Sequence, residues 1–372
     1  MVVARPLCPI PTTISGPANT CPAAYRERLR DRRRWRDFVV CQALMNPEQR
    51  FHSEGLGVID GGQLQRACDL FDLGEVTKAE PASAGLWGQN LLLSTTTGEF
   101  VLRGKPQTPW QFSKEQLVAT EISRRSTLPV PCPYHVSNDL EVFGWPFAVM
   151  PRLAGTMGAR IWEDADAAAK LELAAAHGQA LAQLHHATFD LPGPYNEATN
   201  AFVPVDDFQS WTLERIEGLR ARCRGIDALS EEAERFIDEL IASCSAALTE
   251  RLVPVLVHHD FSLANTNYET TGSGYRATGV FDLGEAHIGD GEEDLIRFLF
   301  RRKRQERAAF VSSYTNDHPL RAGAGDRLSL YALADLLFMW EVSHRVTNWF
   351  AGSTFVETVS PFLEILRSAA AA

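Results

Sequence analysis

Residues 255–265 read VLVHHDFSLAN and residues 280–290 read VFDLGEAHIGD. The apolar run Val255–Val257 predicts a short strand that delivers His258 and Asp260 to a loop, with Asn265 five positions after Asp260. Asn267–Tyr268 and Gly279–Phe281 flank a Gly/Thr-rich stretch, which predicts a hairpin returning Asp282 to the same neighbourhood. Two carboxylates and a carboxamide at the ends of adjacent short strands suit Mg2+ and phosphate chemistry. Mg2+ prefers oxygen ligands and is commonly held by one or two side chains plus substrate phosphates. An unbound carboxylate nearby can orient and deprotonate an attacking hydroxyl.

The segments on either side differ in character. Asp164–His186 carries Leu171, Ala174, Gly178, Leu181 and Leu184 on one helical stripe. Residues 208–222 and 230–248 also read as helices, the latter capped by Ser230, and helices resume from Asp290 to the C-terminus. Farther upstream the pattern is strand-like. Ala82–Leu93 (ASAGLWGQNLLL) reads as strand, glycine turn, strand; Thr95–Gly98 is a second turn and Glu99–Arg103 a third strand. That is a β-meander, not the βαβ opening of a dinucleotide fold. Residues 60–73 and 113–125 read as helices, with Ser113 capping the second. Leu128–Pro133 is extended because proline disfavours helix on its N-terminal side. Val142–Leu153 predicts two more short strands around Gly144-Trp145-Pro146. A strand-rich half thus precedes a helix-rich half, with the boundary near residue 153.

The length of 372 residues fits two domains or one domain with two lobes. With 36 basic and 47 acidic residues the net charge is −11, which argues against a nucleic-acid partner, since phosphate neutralisation needs a basic surface. The seven cysteines are odd in number and scattered without a CxxC pair, so a reducing cytoplasm fits better than a disulfide framework or a structural zinc site. No uncharged apolar stretch is long enough to span a bilayer, and the N-terminus lacks the basic-then-apolar order of a secretory signal. Residues 1–50 read as an N-terminal extension. Within it, Tyr25–Asp37 (YRERLRDRRRWRD) sets seven arginines against three acids, the pattern of a solvated helix or poorly ordered extension rather than of an RNA or membrane patch.

The pattern HxDxxxxN, here His258–Asn265, followed by Val280-Phe281-Asp282 and Gly289-Asp290, resembles the catalytic signature of the aminoglycoside phosphotransferase and choline kinase-like superfamily. The likeness runs in order over residues 60–300. It implies an α+β, two-lobed protein-kinase-like fold, with a small β-rich nucleotide-binding N-lobe over 51–153 and a larger helical C-lobe over 154–372. It implies ATP and Mg2+ as cofactors, and as partner a small molecule offering a hydroxyl acceptor to a monomer or homodimer. Asp260 takes the role of catalytic base or orienting carboxylate, and Asn265 and Asp282 hold the metal, as the catalytic-loop Asn and DFG Asp do in protein kinases. His258 braces the loop, and His259 stands where relatives usually have glycine. Asp290 caps the next helix, with Glu293 completing a capping box.

In the N-lobe the same resemblance puts Gly85 and Gly88 (GLWGQN) in the loop over the phosphates. It puts a phosphate-gripping lysine on the next strand, where this chain has Arg103. Lys105, two residues on and so on the same strand face, is the alternative. Glu121, just before LPVP, is the better match for the partner of that basic residue, and Glu115 the poorer. Met150 to Leu153 meet adenine. On the acceptor side stand Glu285, Trp340 and Glu341, with Tyr331, Asp335 and Trp349 near them in sequence. Carboxylates suit a cationic acceptor such as an aminoglycoside; aromatics suit a choline-like ammonium, a sugar or a nucleoside. The reading leans towards antibiotic modification and so resistance, with a metabolic sugar, amino sugar or choline-type alcohol as the alternative.

Three other readings are weaker. Gly98–Lys105 is no P-loop, having five residues between its glycines and Pro106 after the lysine. A metal-dependent phosphohydrolase would use His258, His259, Asp260 and Asp282 as ligands, but such His-Asp doublets usually sit on helices and this one follows a strand. A non-catalytic nucleotide-binding module lacks support, since only the usual lysine is missing.

Overall fold

In the computed structural model, the residues described are 50–53, 55–82, 90–272, 274–300, 302–347 and 349–370. β1 (Arg50–Ser53) pairs antiparallel with β2 (Gly57–Asp60). Asp60 then caps α1 (Gly61–Asp69): its carboxylate accepts from Gln63 N at 2.8 Å, and Gln63 Oε1 accepts from Asp60 N at 3.0 Å. The meander follows as β3 (Val76–Pro81), β4 (Asn90–Thr95) and β5 (Glu99–Gly104), and then comes α2 (Gln111–Arg125). β6 (His135–Ser137) and β7 (Phe147–Pro151) complete a five-stranded antiparallel sheet in the order β3-β4-β5-β7-β6. Leu91, Leu93, Leu102 and Phe147 are fully buried on one face of this sheet, against Leu64 of α1. Strand alternation therefore turns Arg103 to the other face.

Two local expectations fail here. α2 starts at Gln111, not after Ser113, because the Gln111 carboxamide accepts from Gln107 N at 2.8 Å and so closes the turn from inside the helix. Only one strand, β7, lies around Gly144. Residues 140–144 form a turn in which Gly144 N donates to Leu140 O at 2.7 Å and Gly144 takes φ +80°, while Trp145 stacks on Phe143 at 4.5 Å.

The second half opens with β8 (Thr156–Met157) and α3 (Gly158–Asp164). The helix expected over Asp164–His186 forms as α4 (Ala167–Leu184), started by Asp166, whose side chain accepts from Ala169 N at 2.8 Å. The remaining elements are β9 (Tyr195–Asn196), β10 (Ala201–Phe202), α5 (Phe208–Arg224), α6 (Glu231–Cys244), β11 (Val255–Val257), β12 (Thr266–Thr271), β13 (Gly274–Val280) and β14 (His287–Gly289). After a 3-10 turn at Gly291–Leu295 come α7 (Ile296–Leu299), α8 (Arg304–Thr315), α9 (Ala324–Val342) and α10 (Phe355–Ala370). Ser230 caps α6 as expected, accepting from Ala233 N.

α4 and α8 pack closely because Gly178 presents no side chain: a Cβ there would lie 2.2 Å from the Phe310 carbonyl oxygen. This helical half is larger and has its own core, in which Leu181, Leu256, Phe261, Phe298, Phe310 and Leu333 are buried. A small antiparallel-sheet part followed by a larger helical part is the two-lobed kinase-like arrangement. No helix among the described residues is long and apolar enough to cross a membrane.

Candidate active site

β11 is buried along its whole length and pairs antiparallel with β14, placing Val257 opposite His287. His258 then leaves the strand with both ring nitrogens engaged. Nδ1 accepts from Asp260 N at 3.2 Å, so Nε2 carries the proton and donates to Phe281 O at 3.0 Å. His258 thus ties the loop to the residue before Asp282, and neither nitrogen is left to bind a metal. Asn265 ties the same two segments again, its carbonyl accepting from Phe281 N at 3.0 Å.

The next two backbone amides are held from behind by Asp294. Its Oδ2 accepts from His258 N and its Oδ1 from His259 N, each at 2.7 Å, and His185 Nε2 adds a bond at 3.1 Å. Burial alone would raise this carboxyl, but the His185 and His258 donors outweigh it and hold Asp294 below the usual carboxylate range. His259 adopts φ +67°, the left-handed region that favours glycine. The glycine that the resemblance implies at this position would adopt that conformation without strain.

Asp260 projects from this loop with its side chain 39% exposed, and Asn265 Nδ2 donates to its Oδ2 at 2.9 Å and to its backbone carbonyl at 3.0 Å. Asp282, at φ +67°, turns its half-exposed carboxylate to within 3.7 Å of Arg103 Nη2. Arg103 lies at the end of β5, and its Nη1 is 2.5 Å from Glu115 Oε2. Glu115 is buried and also accepts from the Tyr134 hydroxyl at 2.5 Å and from Gln111 Nε2 at 2.9 Å. Burial would lower the Arg103 guanidinium, yet Glu115, Tyr134 and Asp282 together raise it, so it stays charged.

The expectation that Glu121 holds Arg103 is therefore corrected. Glu121 pairs with Arg125 at 2.7 Å and Arg124 at 3.5 Å on the outer face of α2. Glu115 lies on the buried face with Val118, Ala119 and Ile122, and that stripe at i, i+3, i+4, i+7 was the signal in the sequence that could have chosen it. Lys105 also departs from expectation. β5 ends at Gly104, Lys105 takes φ +52°, and its Nζ donates to Gly55 O at 2.9 Å.

The other expected positions are mixed. Met150 is buried in β7 opposite Val101, and the Leu153 carbonyl accepts from Asn267 Nδ2 at 3.2 Å. Glu285 is exposed, three residues beyond Asp282. Trp340 and Glu341 are corrected as acceptor contacts, because packing uses both. Trp340 is buried, stacks on Phe350 at 5.4 Å and donates Nε1 to Ala228 O at 2.7 Å. Glu341 pairs with Arg222 at 2.7 Å and Arg345 at 3.0 Å. Gly85 and Gly88 lie outside the described residues, as do residues 1–49. Asp290 caps the turn at Gly291–Leu295, accepting from Glu292 N at 3.1 Å, but the Glu293 side chain does not close a box.

Glu293 instead anchors a buried charge cluster beside the His258–Asn265 loop. Arg215 Nη2 reaches it at 2.8 Å, His287 Nε2 at 3.2 Å and His259 Nε2 at 3.3 Å. Burial would raise Glu293, but Arg215, His287 and His259 bring it well below its ordinary 4.5. Burial would lower His259, but Glu293 lifts it above its ordinary 6.5. A lowered carboxyl contributes stability above its unfolded value and loses it as pH falls. A raised histidine contributes stability below its unfolded value and loses it as pH rises through its folded one. The stability difference between wild type and Glu293→Gln should therefore be greatest between about pH 4.5 and 6.5 and shrink on both sides, as measured by urea unfolding across pH. A difference independent of pH would contradict the pairing.

Comparison with known proteins agrees with this geometry. The model of the phosphotransferase enzyme family matches residues 78–325. Among solved structures, aminoglycoside phosphotransferase APH(4)-Ia superposes with a TM-score of 0.58 at 16% identity, covering 83% of this chain and 98% of that one. Aminoglycoside 2'-phosphotransferase-IIIa, in its GDP complex, gives 0.54 at 17% identity, covering 83% and 98%. A protein assigned as a fructosamine-3-kinase of Haemophilus somnus 129PT gives 0.52 at 14% identity, covering 82% and 96%. No curated protein matches in sequence. At these identities the likeness to solved structures concerns the fold, while the family match spans the antiparallel sheet, the His258–Asn265 loop and the Asp282 hairpin together. The chain accordingly belongs to the phosphotransferase enzyme family, as a small-molecule kinase.

Proposed function

We propose that this protein transfers the γ-phosphoryl group of ATP to a hydroxyl of a small molecule in the cytoplasm. One observation carries the reading: Asp260, Asn265 and Asp282 converge, with Asn265 bonded both to the Asp260 carboxylate and, through its main chain, to the residue before Asp282. Asn265 gives its Nδ2 to Asp260, which leaves Oδ1 to join the Asp282 carboxylate in an all-oxygen donor pair, the chemistry Mg2+ prefers. The ion, when bound, neutralises charge on the phosphate oxygens. Arg103, locked by Glu115 and Tyr134, offers its remaining face to those phosphates. Asp260 accepts the acceptor's proton while the alcohol oxygen bonds to Pγ and the bond from Pγ to the ADP oxygen breaks. Such transfer depends mainly on positioning and electrostatics.

The nucleotide reading is supported by similar folds solved with ADP, GDP or AMP-PNP. An antibiotic acceptor is supported by a ternary complex of the similar APH(4)-Ia with ADP and hygromycin B. A sugar-amine acceptor is the second reading, favoured by the fructosamine-3-kinase likeness. ADP release should be screened with aminoglycosides, macrolides, nucleoside antibiotics, amino sugars and choline. Stimulation by one class supports the reading and selects the acceptor; no stimulation by any alcohol contradicts phosphotransfer.

The N-lobe pairing has its own test. Glu115→Gln should lower kcat/KM for ATP by about 10- to 100-fold, the value of a charged hydrogen bond, while Glu121→Gln leaves it unchanged. Equal effects in steady-state kinetics would refute the assignment of Glu115.

A further inference from the structure

Between Asp260 and Asn265 the loop carries no basic side chain: Phe261, Ser262, Leu263 and Ala264 stand there. The positive charge beside Asp260 arrives from elsewhere: Arg297 of α7 brings Nε to 3.4 Å from Asp260 Oδ1. The same guanidinium places Nη2 2.7 Å from Asp335 Oδ1 on α9, and Nη1 against the Met339 sulfur at 3.7 Å. Asp335 is 4% exposed.

Two features set this group apart from an ordinary buried ion pair. First, its hydrogen bonding is incomplete. Arg297 Nε and both Asp335 oxygens are buried without an aligned hydrogen bond, although charge separation across the pair is short. Buried polar groups are normally satisfied, and exceptions concentrate where function needs them. Second, the pair meets Asp260 from the side opposite Asn265. Asn265 hydrogen-bonds Oδ2 and the Arg297 guanidinium stands 3.4 Å from Oδ1 as a charge partner, so each carboxylate oxygen faces a fixed group. Without the guanidinium, Asp260 and Asp335 would face each other as like charges.

We infer that Arg297 is a positioning residue for phosphoryl transfer: clamped by Asp335, it sets the rotation of the Asp260 carboxylate and balances its charge. The inference rests on reading Asp260 as the group that accepts the alcohol's proton. Arg297 acts through Asp260 and not on the nucleotide, so its loss should appear in kcat and leave nucleotide binding alone.

The experiment uses the full chain, with turnover read as ADP release and nucleotide affinity read from fluorescent mant-ATP with Mg2+. Arg297→Ala should lower kcat by about 30-fold or more with mant-ATP affinity little changed, within the range of a positioned acid–base group. Arg297→Lys, or guanidinium added to Arg297→Ala, should restore much of the rate. Adding Arg297→Ala to Asp260→Ala should cost little beyond Asp260→Ala alone, because groups acting as a unit are not additive. Arg297→Ala strands the Asp335 carboxylate and threatens folding, so Arg297→Ala/Asp335→Ala, which removes both charges, is measured beside it and should show the same loss of kcat. The inference is overturned if this double variant keeps the wild-type rate, if the loss appears in mant-ATP affinity, or if the effects of Arg297 and Asp260 add. Loss of the underlying reading looks different: Asp260→Ala itself would then turn over normally.

Discussion

Asp260→Ala is expected to lower kcat by about 10²- to 10⁴-fold, the usual contribution of a positioned acid–base group, with ATP affinity and folding largely retained. The side chain is partly exposed and its contacts are Asn265 Nδ2 and the Arg297 guanidinium, both polar groups beside it, so its loss is expected to be chemical rather than structural. Asp260→Asn is the stricter form, since it keeps the shape and removes the charge and the basicity. Purified variants should be compared by steady-state ADP release and by mant-ATP binding. A wild-type rate in either variant would remove Asp260 from the mechanism.

Asp294→Ala should have the largest effect on stability. This carboxylate is 1% exposed and receives two backbone amides and His185. Removing it leaves three donors, two of them buried, without an acceptor, at a cost of about 3–5 kcal/mol, a large share of the roughly 5–15 kcal/mol that holds a domain together. Asn is a poor substitute, because its amide nitrogen would oppose one of the two backbone N–H groups. The urea midpoint should fall accordingly, and turnover should fall with it because the catalytic loop loses its support. A midpoint unchanged from wild type would show that the loop is held by other contacts. The lowered Asp294 carboxyl adds an acid limb in the same direction, with its contribution lost as pH falls below its ordinary 3.8.

Arg103 and His259 show where reading residues in order succeeds and where it stops. The turn from β5 to the cleft follows from strand alternation: Leu102 is inward, so Arg103 is outward, and no tertiary knowledge is needed. Lys105 fails the same rule because the strand ends one residue earlier, at a left-handed turn that alternation does not foresee. His259, whose role the sequence leaves open, becomes intelligible once its pairing with Glu293 at 3.3 Å is known, since its φ of +67° alone would favour glycine.

The convergence of the three proposed site residues was legible in a short piece of chain. Asp260, Asn265 and Asp282 lie within 23 consecutive residues, in the loop after β11 and just past the β12–β13 hairpin, a geometry that is local, so residue type and spacing sufficed to bring them together. Long-range pairings were not legible in that way. Glu115 reaches Arg103, Asp294 reaches back to His258, and Arg297 and Asp335 meet beside Asp260 only because separate helices dock on one another. Any of several charged residues on those helices satisfies the same local rules. Which one becomes buried, and against which partner, depends on the packing of the two cores.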